Sequence, residues 1–156
     1  MGRGLGVGCL LGVWLLGSTP VVADEGPQVV PSRERQIAKE KHASGPAVNK
    51  GVKAVAALGS VALGDEFPGL EGRVLRAREI IIEPGGVVAV HQHDARPGLA
   101  YILEGEIVEY RNDSPEPHVR KPGNVAFEKT GVTHWWENKT AQSVRALVVD
   151  IVPQEK

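Results

Sequence analysis

The chain has 156 residues, enough for one domain with a sizeable core, and 42% of them are hydrophobic. A formal charge of -1, with lysines and arginines scattered rather than massed, leaves no electrostatic footprint for nucleic acid. Nineteen glycines and eleven prolines predict many turns and short strands rather than long helices.

The chain opens on a leader. Arg3 gives a positive start, Leu5 to Gly17 is apolar and uncharged, and Val21-Val22-Ala23 puts small residues where a signal peptidase reads. Residues 1–23 are therefore expected to be a signal peptide cleaved after Ala23, and the mature protein to be exported to a bacterial periplasm. A retained N-terminal anchor is the competing reading. The apolar run is shorter than the ~20 residues a bilayer requires, so no stable membrane anchor is expected. The one cysteine, Cys9, lies inside that run, which leaves the mature chain without a disulfide.

Residues 24–51 are polar and charged, interrupted by Pro27, Pro31, Gly45 and Pro46, and read as a flexible arm. Ser32 to His42 contains good helix formers behind an acceptable cap, Ser32, but too few apolar residues to bury a face. From Val52 the pattern changes. Strands are predicted at Val52 to Leu63, Arg73 to Glu83, Val87 to His93, Leu99 to Leu103, Glu106 to Tyr110, Val125 to Glu128, His134 to Glu137 and Val144 to Val152. Pro84-Gly85-Gly86 is expected to turn the chain, and Glu104-Gly105 to close a hairpin. Short strands at this spacing, with no convincing helix, predict an all-β antiparallel sandwich or barrel over residues 52–153.

The chemistry concentrates between Gly85 and Asn138. His91 and His93 are two apart, so on a strand both imidazoles leave one face, the spacing at which two nitrogens can share a metal ion. His134 sits in another strand-like run and can supply a third nitrogen once the sheet curls. If His91 and His93 face inward, Val87 and Ala89 do too; if His134 does, so does Trp136, with Trp135 on the opposite side.

At these residues the chain resembles the cupin superfamily of small jelly-roll barrels. Gly85, His91, His93 and Gly105 fall at the spacing of the first family motif, with Gly98 where a glutamate is expected. Gly123, Gly131, His134 and Asn138 follow the second motif, with Lys129 in the place of a proline. The resemblance covers about Val52 to Val152. It implies a cupin β-barrel preceded by an N-terminal arm, a homodimer, and a divalent metal ion (Fe, Mn, Ni, Cu or Zn) held by His91, His93 and His134. Two histidines hydrogen-bonded in a barrel that has lost its metal is the competing reading. Gly98 leaves the fourth protein ligand open, with one of the glutamates or Asp94 as a remote substitute.

Three neutral imidazoles leave a divalent ion its full charge, which favours an anionic oxygen ligand. Gly98 and Ala100 are both small, so the space a glutamate would fill is expected to be open. Trp136 either lines a pocket above the metal or fills core. Arg96 either pairs with an anionic substrate or is an exposed loop arginine. The function expected is a metal-dependent enzyme, dioxygenase-like if the ion is Fe(II), acting on a small anionic molecule; the alternative is a non-catalytic protein that binds a small ligand or a metal.

Overall fold

The computed structural model describes Met1 and residues 30–154; the expected signal peptide, Met1 apart, and its cleavage site lie outside the described residues. One helix, α1 (Ser32–Glu40), precedes β1 (Lys50–Ala62), β2 (Arg73–Gln92), β3 (Gly98–Glu104), β4 (Ile107–Arg111), β5 (His118–Arg120), β6 (Val125–Glu128), β7 (Thr133–Glu137) and β8 (Val144–Pro153). Hydrogen-bonded neighbours run β5-β4-β7-β2-β8-β3-β6, with β1 added to β2, and the sheet curls into a nearly closed barrel. The expected all-β jelly roll is what forms. β5 alone was not legible, because three residues carry no alternation to read.

Pro84-Gly85-Gly86 does not turn the chain. It bends a single strand of 20 residues, β2, whose first half pairs with β1 and β8 and whose second half pairs with β7. Gly85 takes a φ of 68°, and a Cβ on Gly86 would stand 2.7 Å from Glu83 O, so the corner needs residues without side chains. A second irregularity follows. Val88 pairs with Trp136 and His91 with His134, three steps on β2 against two on β7. This bulge shifts the alternation by one. Val88, rather than Val87, therefore lines the interior with His91.

An apolar cluster forms the core beside the buried polar groups of the site. Ile82, Ile102, Ile107 and Val144 are fully buried, each contributing about 1.5–3 kcal/mol by leaving water. Asn138 ends β7 structurally: its side-chain amide donates to Ile82 O, Glu83 O and Gln142 O.

The segment before β1 corrects the reading of a polar arm with no buried face. Pro31, not Ser32, is the N-cap of α1, with no side-chain cap bond. Val30 is 1% exposed and packs in the core cluster, and Ala38 and Glu34 are buried beneath the helix. Glu34 succeeds on a buried face because Arg96 meets it there. At the far end, Lys41 pairs with Asp94 at 2.6 Å.

Candidate metal centre

β2 and β7 bring the three histidines together. His91 lies opposite His134 in the strand register, and His93 follows two residues on. All three are buried, and their ligand atoms lie within 4.8 Å of one another. His134 Nε2 is 2.9 Å from His93 Nε2 and 3.2 Å from His91 Nε2. Two nitrogens bound at right angles on an ion with bonds of roughly 2.1 Å would stand roughly 3.0 Å apart.

The other ring nitrogens decide what these contacts are. His91 Nδ1 donates to Ala89 O at 2.8 Å, and His93 Nδ1 to Arg96 O at 3.2 Å. A carbonyl can only accept, so both rings carry their proton on Nδ1. His134 Nδ1 donates to Glu109 Oε1 at 2.7 Å. The Nε2 atoms of His91 and His93 are thus left with lone pairs, and both converge on His134 Nε2. A cation among the three nitrogens satisfies them together, which is the donor set a divalent metal ion fits, while a proton on His134 Nε2 is the metal-free arrangement that does the same.

Burial, then the neighbouring imidazoles, push the His91 ring well below its ordinary value, and His93 falls to about 2 for the same reasons. Both are neutral, the form that ligates. Burial alone would raise the Glu109 carboxyl, but the bond to His134, the positive charge that ring carries when protonated, and the charges of Arg120 and Arg111 outweigh it and hold it at about 2. Glu109 is therefore an ionised anchor that orients the His134 ring.

Glu128 also faces this centre. Its Oε1 is 3.7 Å from His134 Nε2, its Oε2 is 3.5 Å from His93 Nδ1, and Oε2 has no hydrogen-bond partner among the described residues. Burial raises its pKa.

A cavity of about 20 Å³, room for one or two waters, adjoins His91, His134 and Glu128 and is walled by Val30, Val88 and Trp136. Trp136 is a pocket wall and a core residue at once, its ring edge-on to His134 with its Nε1 unpartnered. Trp135 faces away and stacks on Tyr110 at 3.9 Å.

Expectations for four residues fail here. Arg96 is 3% exposed rather than a loop arginine, and its guanidinium is filled by both oxygens of Glu34 and by Asp150 at 2.8 Å, so it is no free substrate clamp. Gly98 opens no space toward the histidines: a Cβ there would stand 2.5 Å from Val149 O and 2.8 Å from Asp150 Cβ, against β8. Ala100 is buried in the apolar cluster with Ala126 and Val148, away from the cavity lining. Asp94 is exposed and bonded to Lys41 and Gly131 N, which removes it as a substitute ligand.

Residues 78–150 match the family profile described as Cupin domain, a span that includes all three histidines. This barrel is a cupin domain. The cupin chain is 29% identical over 86 residues to "Germin-like protein subfamily 3 member 1" of Arabidopsis thaliana, covering 53% of this chain and 41% of the relative. It thus spans about two fifths of that relative's length. Among solved structures it is similar to the polyketide cyclase RemF from Streptomyces resistomycificus, with 22% identity, a TM-score of 0.53, and 72% of this chain and 74% of that one covered. It is also similar to the Schizosaccharomyces pombe Cnp3 cupin domain, at 17% identity and a TM-score of 0.50, over 69% and 64% of the two chains. These likenesses show the fold.

Glu109, Glu128, Asp150 and Glu34 were not singled out in the sequence. Alternation offers a signal for the first: Ile107 is apolar, and Glu109 shares its face of β4. Glu128 had no such signal, because its neighbour Phe127 is the residue hydrophobicity would send inward.

Proposed function

We propose that this cupin holds a divalent metal ion on His91, His93 and His134 and uses it on a small, oxygen-bearing anionic molecule. The observation that carries the reading is the convergence of three Nε2 atoms whose rings each donate from Nδ1. The bound ion would supply Lewis acidity, and Fe(II) would add oxygen chemistry of the dioxygenase kind. The protein's own groups do the rest: Glu109 fixes the His134 ring, Trp136 and Val88 wall the reacting space and exclude water, and Trp136 Nε1 offers a donor to an oxygen of the bound molecule. Export and a homodimer belong to the same proposal; the first rests on the leader pattern of residues 1–23 and the second on the family resemblance.

Metal analysis of protein purified without oxygen tests the reading. One ion per chain is expected, absent in His91→Ala, followed by oxygen consumption with one member of a panel of carboxylates, diketones and thiols. No metal, or metal indifferent to His91→Ala, overturns it. A second reading, a protein that holds metal or a small ligand without turnover, is favoured by the smallness of the cavity, about 20 Å³. Metal retained with no turnover across the panel would decide for it.

A further inference from the structure

We infer that Glu128 is the carboxylate ligand of this centre, delivered from β6 in place of the side chain that Gly98 of β3 lacks. The inference rests on the three-histidine reading above and goes beyond it.

The two positions are partners across one strand pair, since Gly98 lies opposite Glu128 in the β3–β6 register. Gly98 is closed to any side chain by β8, so a carboxylate can reach the histidines only from a neighbouring strand. β6 provides it by an inverted alternation. Phe127 is 65% exposed while Ala126 and Glu128 are buried, so the strand spends its aromatic on the outside and turns its acid inward.

The position of that acid fits ligation. Two donor atoms on one ion with bonds of roughly 2.1 Å can be at most about 4.2 Å apart. Glu128 Oε1 is 3.7 Å from His134 Nε2, the nitrogen on which the other two already converge. Glu128 Oε2 is buried with no hydrogen-bond partner among the described residues, and feels the charges of Arg96 and Arg78 only at a distance. A cation among the histidines would give that oxygen the direct partner it lacks. The donor set becomes three imidazoles and one carboxylate, which halves the charge left on a divalent ion. A six-coordinate ion would then keep two places for water or an oxygen ligand of the proposed substrate class.

The probe is Co(II), whose visible spectrum reports its ligands. Wild type, Glu128→Gln and His91→Ala are titrated as full chains, with competition against a chelator of known affinity. Glu128→Gln is expected to bind on the order of 10–100-fold more weakly and to give a changed visible spectrum, while its metal-free form keeps the wild-type circular dichroism. Unchanged affinity and spectrum in Glu128→Gln, with binding abolished in His91→Ala, overturn this inference alone. No binding by wild type overturns the three-histidine reading and this one with it. Should Glu128→Gln fail to fold, Glu128→Asp takes its place: a carboxylate withdrawn by one methylene is expected to weaken Co(II) binding and change its visible spectrum, and affinity and spectrum equal to wild type refute ligation by Glu128.

Discussion

His91 and His93 remain neutral far into the acid range, because burial and the adjacent imidazoles disfavour their protonated forms. The sign of the linkage follows. Below an ordinary value of 6.5 the unfolded chain takes up protons that the folded chain refuses down to about 2 at His93, so this contribution is whole above 6.5 and is lost as the pH falls. Glu109, held at about 2 against 4.5, loses its contribution in the same direction over the lower part of that window. Glu128, shifted upward, opposes both. The thermal midpoint of the metal-free protein should therefore drop between about pH 7 and about pH 5, and drop less in His93→Gln. A midpoint indifferent to pH in wild type would show that the imidazoles are not buried neutral. At this scale the sequence made the ligand histidines visible, because a repeated residue type at a set spacing is a local pattern. Arg96 and Glu34 were invisible as a pair: they lie 62 residues apart and make sense in a buried face only together.

At the scale of elements, β2 and β3 carry the lesson. Strand existence was readable for seven of the strands from apolar runs between turn residues, and the inward facing of Trp136 followed from alternation with His134. What alternation could not foresee is a change of phase within a strand. The bulge between Val88 and His91 is such a change, and it moves Val88 onto the cavity wall. Close approach between strands is equally hidden. Gly98 looked like an empty place for a ligand, yet β8 fills the space in front of it. Gly98→Glu is accordingly expected to weaken the fold by about 1–3 kcal/mol, as overpacking does, and to leave metal affinity no tighter. Urea denaturation with a paired metal titration checks both. A variant of wild-type stability that binds metal more tightly would mean that the side chain of residue 98 reaches the histidines after all.

Over the whole molecule, the helical segment before the barrel belongs to the site. Val30 walls the cavity, Glu34 grips Arg96, and Arg96 in turn holds Asp150 of β8, so α1 is tied to the barrel through a buried chain of charges. Glu34→Gln would leave Arg96 with Asp150 alone, and the helix should loosen. Hydrogen exchange at residues 32–40 is expected to rise well above wild type while β2 and β8 keep their protection. Protection at residues 32–40 equal to wild type would show that the grip on Arg96 does not hold the helix down. A cavity with room for one or two waters behind such a latch has a consequence for time as well as for space. An ion held there would leave past the same helix, so the rate at which a chelator strips it should rise in Glu34→Gln and equal that of wild type if α1 plays no part in its release.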